Sequence, residues 1–375
     1  MTEPLTSGVI SQHAIAPACL LRGPGAWAEA LPLIPALSRR PLVLGRSAAT
    51  RPLRQQLSSE LAERGLQPAM AELRFDCCEA DLNALADQAR RSGCDGVLAS
   101  GGGKVLDAGK LLAHRLQLPC ITVPSSASTC AGWTALANIY SAEGAFEGDE
   151  ALGSCPALLI FDHNLLLQAP ARTLASGIAD AMAKWYEASV SSGHSSDGLV
   201  QQAVQQARVL RDQLLLDGNE AMAQPGGEAW GRVVEASGLT AGLIGGLGGA
   251  RCRTVAAHAI HNGLTQLARC HGSLHGEKVG FGVLVQLRLE EQLGGNQLAA
   301  QARRQLTPFF RSLGLPVSLE ELGLGQVSLS ELQEVCAFAC RSGSDLHHLP
   351  FPVAKEELLS ALVSSNLGCP VLEAP

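Results

Sequence analysis

Short apolar segments alternate with helix-forming segments between residues 40 and 162 of the 375-residue chain, and this alternation limits the fold more than any other feature. Consecutive strand–helix–strand units of this kind build a parallel sheet. The first part of the chain is therefore predicted to be an α/β domain. The predicted strands are 41–45, 71–75, 95–100, 119–123 and 156–161, and the predicted helices between them are 51–64, 79–91 and 105–116.

After residue 161 the strand signals almost stop, and helical periodicity continues to residue 313. Several of these segments are apolar nearly all round, which is typical of buried helices. Two domains are predicted, an α/β domain at 1–164 and an all-helical domain at 165–375, with the ligand site in the cleft between them. The predicted helices are 171–192, 199–216, 227–242, 254–267, 278–293 and 298–313, and a glycine-rich hinge is predicted at 242–249.

The composition excludes several classes of protein. Only 17% of the residues are charged and 46% are hydrophobic, which indicates a folded chain and not a disordered one. The net charge of −7 gives no basic surface for nucleic acid. No uncharged apolar run reaches the roughly 18 residues of a membrane-spanning helix, and the first residues lack the basic start of a secretory signal. We expect a cytoplasmic protein with reduced cysteines that acts on a small molecule, without nucleic-acid or membrane partners.

The segment Gly101-Gly-Gly-Lys104 follows a predicted strand and begins a predicted helix. Glycine lets the backbone approach a phosphate closely, and a helix N-terminus supplies N–H donors and a partial positive charge. The spacing differs from the G-x-G-x-x-G fingerprint of ordinary dinucleotide-binding domains. The segment therefore indicates a pyrophosphate site, and the alternative is a tight turn that needs glycine only for its geometry.

One aspartate and three histidines form a second group of candidate residues, Asp180, His258, His261 and His275. His258 and His261 share one face of a predicted helix, while His275 lies near the start of the next helix. A carboxylate with two imidazoles leaves coordination positions open, as in a catalytic site for a divalent metal. A single helical histidine is more often a core or cap residue, but three within one helix pair favour a metal site.

In this order, the motifs resemble the glycerol dehydrogenase branch of the iron-containing (group III) alcohol dehydrogenases. The matching segments are 101–107, 127–129, 177–180, 257–265 and 275–278, so the resemblance covers nearly the whole chain. It implies a nucleotide-binding α/β domain followed by a helical metal domain, in a homo-oligomer. It also implies that the metal ligands are Asp180, His258 and His275, and that His261 lies near the substrate. The implied cofactor residues are Gly102, Gly103, Lys104, Asp107, Ser125, Ser128, Thr134, Leu136 and Tyr140.

Two positions depart from the pattern of that branch. Glycerol dehydrogenases hold the polyol hydroxyls with an aspartate, and here that position is Cys130, whose thiol is a poor acceptor. Relatives that use NAD place an acidic residue at the end of the first predicted strand, and here that position is Arg46, a cation that would attract a 2′-phosphate. The alternative for Arg46 is a solvated loop residue. NADP(H) is therefore expected in preference to NAD(H).

Within the branch, the segments 129–134, 180–188 and 245–248 are most similar to the hydroxycarboxylate dehydrogenases, which reduce 2-oxo acids to 2-hydroxy acids. This resemblance implies hydride transfer between NAD(P)H and a small 2-oxo or 2-hydroxy acid, assisted by a divalent metal. Lys184 would contact the substrate carboxylate, unless it only pairs with Asp180 one turn away. Arg251 and Arg253 are further cationic candidates, and Trp133 is expected to narrow the pocket.

The predicted catalytic residues are thus His261, Lys184 and Cys130, and one metal ion is expected, zinc ahead of iron. The main alternative is an NAD-dependent glycerol or other polyol dehydrogenase. A lyase that resembles dehydroquinate synthase is more distant, because its phosphorylated substrate needs more basic residues. A sensor protein without catalysis is the last alternative, and the candidate metal ligands weigh against it.

Overall fold

The computed structural model describes residues 12–366 and contains an α/β half followed by a helical half, as the sequence predicts. In the first half, six parallel strands form one sheet in the order β1-β8-β5-β4-β2-β3, and β6 and β7 form a separate antiparallel hairpin. The strands are β1 Leu20–Gly23, β2 Pro41–Gly45, β3 Ala69–Glu72, β4 Gly96–Gly101, β5 Cys120–Pro124, β6 Leu136–Tyr140, β7 Phe146–Ala151 and β8 Leu158–Asp162.

Every residue of β2, β4 and β8 is buried, because helices cover both faces of the parallel sheet. This burial explains why these strands are apolar runs that the sequence makes easy to recognise. The helices of this half, and the short one that follows it, are α1 Ala26–Ala30, α2 Ile34–Leu37, α3 Arg51–Glu63, α4 Glu79–Arg91, α5 Gly103–Leu116 and α6 His163–Leu166.

Three strands of the first half were not predicted. β1 is a short, half-exposed strand at one edge of the sheet, so it carries little apolar signal. In β7 most residues are acidic or glycine, and only Phe146 is fully buried, so the hairpin of β6 and β7 lacks the usual strand composition. This hairpin lies next to the cleft, where Phe146 donates its backbone N–H to the Thr265 hydroxyl of the helical half at 2.9 Å.

The second half consists of helices packed around α7, which is buried along most of its length. The predicted bounds of α7 are confirmed, and the prediction for α8 ended too early. The helices are α7 Ala171–Ser192, α8 Gly198–Ala223, α9 Glu228–Glu235, α10 Ala241–Gly248, α11 Ala256–Leu264, α12 His275–Gln292, α13 Gln297–Ser312, α14 Leu329–Ala339 and α15 Lys355–Asn366.

The predicted glycine-rich hinge at 242–249 is wrong, because this segment forms helix α10, which continues α9 through one π-helical turn. Its glycines are close-packing positions inside a buried helix. A Cβ atom added at Gly242 would lie 2.6 Å from the Trp133 side chain, and one added at Gly245 would lie 2.8 Å from Arg253. Glycine is therefore needed here for contact between elements and not for flexibility.

Helices α14 and α15 were also missed. The signal for α14 is present in the sequence, since Ser328 and Glu331 form a capping box at its start. Neither α14 nor any other described helix is both long enough and apolar enough to cross a membrane.

Two glycines of α12 bring the central helices into backbone contact. A Cβ atom at Gly276 would overlap the carbonyl oxygen of Ser176 on α7, and one at Gly282 would overlap that of Ala257 on α11. Larger side chains would push these helices apart. The close approach matters for the site, because α7, α11 and α12 carry the predicted metal ligands.

Candidate active site

A cleft of about 690 Å³ runs from the carboxyl ends of β2 and β4 to the centre of the helical half. Its walls come from both halves, as predicted from the strand–helix order. One end is formed by the glycine turn between β4 and α5, and the other end by α7, α11 and α12. All the predicted metal, catalytic and cofactor residues line this cleft except Ser125.

Asp180, His258 and His275 converge at the helical end of the cleft. Their ligand atoms all lie within 4.8 Å of one another. The Nε2 atoms of His258 and His275 lie 3.3 and 3.5 Å from Oδ1 of Asp180. That oxygen is buried and makes no hydrogen bond of good geometry. An unpaired buried carboxylate oxygen is costly, and a divalent cation held by the two imidazoles would satisfy it. The three residues therefore fit a metal ion.

The protein environment shifts the pKa values of these groups in different directions. Burial by itself would raise the pKa of Asp180, but the Lys184 charge and the nearby imidazoles hold it well below its usual range. Burial would lower the pKa of His258, but the Glu187 carboxylate, aided by Asp180, raises it to about 9. Burial lowers the pKa of His275. The site thus has an ionised carboxylate at its centre, as a metal ligand requires.

His261 lies beside the three ligands and not among them. Its ring centre is 4.2 Å from that of His275, and its Nδ1 atom lies 2.9 Å from the Asn262 side-chain oxygen. Burial, with the neighbouring His275 and Lys278, keeps the pKa of His261 well below its usual range. The imidazole is therefore neutral at physiological pH.

The glycine turn forms the other end of the cleft. Gly102 caps helix α5 with extended backbone, and a Cβ atom at Gly103 would lie 2.9 Å from the Thr129 hydroxyl, so the turn has no room for larger residues. The Lys104 ammonium lies 4.3 Å from the centre of the Tyr140 ring. Gly102, Gly103 and Lys104 all line the cleft, so the N-terminus of α5 lies at its wall.

Asp76 is a cleft residue that the sequence reasoning missed. Its buried carboxylate forms an ion pair with Lys104 and lies 3.7 Å from the Arg46 guanidinium. Arg46 therefore faces the cleft and is not simply a solvated loop residue. No motif marks Asp76, because its position at the cleft depends on β3 lying next to β2 in the sheet.

Two predicted cofactor residues have structural contacts of their own. Asp107 is buried, lies 3.0 Å from the Lys110 ammonium and accepts the backbone N–H of Asn138. Ser125 donates its backbone N–H to Gly101 and is absent from the described cleft lining, where its neighbour Ser126 takes its place. Of the two predicted serines of this loop, only Ser128 lines the cleft.

Comparisons with known proteins agree with this arrangement. A model of iron-containing alcohol dehydrogenases matches residues 17–163. A glycerol dehydrogenase of Pseudomonas putida is 36% identical over 84% of this chain and 87% of its own length. The chain belongs to the iron-containing alcohol dehydrogenase family. As a member of this family, it is an alcohol oxidoreductase.

Other relatives of this alcohol dehydrogenase have different names. Hydroxycarboxylate dehydrogenase A of Escherichia coli is 36% identical over 77% of this chain and 79% of its own length. An uncharacterized oxidoreductase of Synechocystis is 53% identical over 97% of this chain and 94% of its own length. The crystal structure of a probable glycerol dehydrogenase from Sinorhizobium meliloti 1021 superposes with a TM-score of 0.85 at 27% identity, covering 96% of this chain and 99% of that one.

The helical end of the cleft in this alcohol dehydrogenase contains two cations near the candidate metal ligands. The buried Lys184 ammonium donates a hydrogen bond to the backbone oxygen of Arg253 at 3.2 Å and lies 4.0 Å from Oδ1 of Asp180. Arg253 itself lines the cleft, and its Nε atom is buried without a hydrogen-bond partner. Arg251 is exposed and outside the described cleft lining. Donors thus remain free at this end of the dehydrogenase cleft.

Of Cys130 and Trp133, only Cys130 lines the cleft. Cys130 lines the cleft, and burial raises its pKa, so the thiol is uncharged. The expectation that Trp133 narrows the pocket is wrong, because its indole packs against Gly242 and donates its N–H to the backbone oxygen of Ile15 at 2.9 Å. The packing of α10 therefore withdraws this ring from the cleft of the dehydrogenase.

Asp345 is a second cleft residue without a sequence signal. It lies in a short 3₁₀ turn, Asp345–His348, near the end of the chain. The turn is attached to the site by His348, whose Nδ1 atom lies 3.0 Å from the backbone oxygen of Thr254. The Asp345 carboxylate is an acceptor for hydroxyl groups in this part of the cleft.

Proposed function

We propose that this enzyme transfers a hydride between NADPH and a small 2-oxo or 2-hydroxy acid. The observation that carries the proposal is the pair of cations, Lys184 and Arg253, beside the uncharged Cys130 at the substrate end of the cleft. An acid needs cationic donors for its carboxylate, and Arg253 retains an unpaired donor. A neutral polyol has no charge with which to form an ion pair with these cations.

Asp180, His258 and His275 would hold a divalent metal, which when bound supplies a Lewis acid for the substrate oxygen. A carboxylate and two imidazoles are suitable for either zinc or iron, and we propose zinc ahead of iron. The ring of His261 lies next to His275 and lines the cleft, so it is placed to relay the proton of a substrate hydroxyl. Lys184 and Arg253 would orient the substrate through its carboxylate.

At the cofactor end, the backbone around Gly102 and Gly103 would bind the pyrophosphate. Arg46 and Lys104 face this part of the cleft and would bind the 2′-phosphate of NADPH and the adjacent groups. The Asp76 carboxylate holds these two cations near each other. The preference for NADPH over NADH depends on Arg46.

A polyol dehydrogenase that uses NAD is the second candidate, and Asp345 is the observation that favours it. Its carboxylate lines the cleft near Thr254 and is able to accept hydrogen bonds from substrate hydroxyls. The thiol of Cys130 is a poor acceptor and cannot replace it. The glycerol dehydrogenase relatives support this alternative as well as the hydroxycarboxylate relative supports the first. We favour the acid because two cations outweigh one carboxylate near the metal ligands.

The proposal includes two further expectations from the sequence, a homo-oligomer and a cytoplasmic location. The cysteines among residues 12–366 are all free thiols, which suits a reducing compartment. Size measurement of the purified protein in solution tests the first expectation.

The deciding experiment measures kcat/KM with NADPH and with NADH for 2-oxobutyrate, pyruvate, glycolaldehyde and glycerol, for the parent enzyme and for Cys130→Asp. We expect 2-oxobutyrate with NADPH to be the best pair. The new carboxylate should lower acid reduction more than tenfold, since like charges repel by roughly 2 kcal/mol at 8 Å and an effective dielectric constant near 20. Cys19→Asp is the matched control, because Cys19 is exposed. Faster turnover of glycerol than of both 2-oxo acids would support the polyol alternative.

A further inference from the structure

We propose that Glu187 is a positioning residue that fixes the ring of His258 and thereby sets the affinity of the site for a divalent metal. The inference rests on the metal site of the proposed function and not on the identity of the substrate. Glu187 lies on α7, the helix that also carries Asp180, and its side chain is completely buried.

Three hydrogen-bond donors from the start of α11 converge on this carboxylate. Oε2 of Glu187 lies 2.6 Å from Nδ1 of His258. Oε1 accepts the backbone N–H groups of Val255 at 2.7 Å and of His258 at 3.0 Å. The first turn of a helix has N–H groups without intrahelical partners, and Glu187 satisfies two of them from outside. It thus binds both the backbone and the ring of the same histidine.

The contact with the ring determines which nitrogen of His258 is free. An ionised carboxylate is only an acceptor, so Nδ1 must carry the hydrogen. The ring must be neutral to bind a metal, so a metal would displace the second proton of His258, and the lone pair is then on Nε2. Nε2 is the atom that faces Oδ1 of Asp180, at 3.3 Å. Glu187 therefore selects the tautomer in which the lone pair points into the metal site, and it holds the ring in that orientation.

The arrangement couples two ligands through one helix. Asp180 and Glu187 are two turns apart on α7, so the helix provides one ligand directly and orients another. A glutamine in place of Glu187 has only one acceptor oxygen, and its NH₂ group would face at least one of the three donors. Glu187→Gln keeps the volume of the side chain but leaves at least one of the three donors without an acceptor.

The test is the affinity for zinc, measured on the full-length protein by competition with a chelator and without substrate or cofactor. We expect Glu187→Gln to raise the Kd for Zn²⁺ about 10- to 100-fold, as removal of outer-shell partners does elsewhere. The visible absorption of bound Co²⁺ should change as well, because the His258 ring is no longer fixed. Unfolding temperature without metal reports on any general loss of stability.

Asp162→Asn is the matched control. Asp162 is a buried carboxylate that accepts the backbone N–H groups of Gly25, Trp27 and Asn164, far from the metal ligands. It should lower the unfolding temperature and leave the Kd for Zn²⁺ within twofold of the parent value. An equal loss of zinc affinity in both variants would assign the effect to general destabilisation and overturn the proposal.

A folded Glu187→Gln protein with parental zinc affinity and an unchanged Co²⁺ spectrum would also overturn it. If Glu187→Gln does not fold, Glu187→Asp is measured instead, because the shorter carboxylate keeps its charge but withdraws from Nδ1. Weaker zinc binding by Glu187→Asp supports the proposal, and parental affinity contradicts it. A parent protein that binds no divalent metal would overturn both this inference and the metal site, whereas failure to reduce 2-oxo acids would overturn the proposed substrate alone.

Discussion

The two ends of the cleft are built in different ways. The proposed cofactor end consists of backbone at the start of α5 and of the Arg46 and Lys104 side chains, which are 41% and 40% exposed. The proposed metal end consists of side chains of packed helices, and those of Asp180 and His258 are only 5% and 9% exposed. The same cleft thus combines a partly exposed charged surface with a buried cluster of side chains.

The difference has a physical cause. Exposed charges are screened by water and salt, so changing one alters affinity modestly. Buried charges interact strongly with each other, and removing one leaves its partners unsatisfied. Substitutions at the metal end should therefore abolish function, and substitutions at the cofactor end should alter preference between related cofactors.

The largest effect is expected at the metal end. His258→Ala removes one of three ligands, and the two that remain cannot hold an open site, so bound metal should be lost and kcat/KM should fall at least about a thousandfold. His261→Ala should retain the metal and lose rate, because His261 lies beside the ligands. Metal analysis of the purified variants checks both outcomes. Parental metal content in His258→Ala, or metal loss in His261→Ala, would show that the ligands are assigned wrongly.

A second prediction concerns the pH dependence of stability in the buried helical half. Burial, opposed by hydrogen bonds from Gln286 and Asn296, raises the pKa of Glu290 to about 7. The folded state therefore binds a proton that the unfolded state has released, and the free energy of unfolding falls as the pH rises from 5 to 8. Ionisation of Glu290 should lower the free energy of unfolding by about 3 kcal/mol. The pKa rises from 4.5 to about 7, and each tenfold difference in proton affinity between the folded and unfolded states corresponds to about 1.4 kcal/mol.

Glu290→Gln should remove this contribution, because glutamine does not ionise. Chemical denaturation of both proteins at pH 5 and pH 8 measures the change, and only the difference between them is attributed to Glu290, since histidines titrate in the same range. Parallel stability curves for the parent and the variant would contradict the prediction.

The smallest effect is expected at the cofactor end. Arg46→Asp should weaken the binding of NADPH about tenfold, the value of a charge-assisted hydrogen bond at a partly exposed position. The affinity for NADH should stay unchanged or improve. Binding titrations with both cofactors measure this, and Arg64→Asp on the exposed end of α3 is the control. A preference of the parent enzyme for NADH would refute the role of Arg46, and complete loss of both cofactors would show that this end is as intolerant as the metal end.

The sequence predicts those helices and strands whose own residues show a clear hydrophobic pattern. The bounds of β2, α4 and α7 agree with prediction, because a fully buried strand or a long amphipathic helix shows in the local sequence. The hinge predicted at 242–249 failed for the opposite reason. A glycine-rich segment suggests backbone flexibility when only the local sequence is considered. The residues packed against α10 show that its glycines are needed for close packing instead.

The candidate site divides in the same way. The sequence by itself determined the residue types that metal and phosphate chemistry need, a carboxylate with imidazoles and a glycine turn before a helix, since these motifs are local. Only the tertiary structure decided that Asp76 pairs with Lys104, 28 residues away, and that Glu187 orients His258, 71 residues away. Such contacts leave no local pattern, because they arise where strand order and helix packing bring distant segments together.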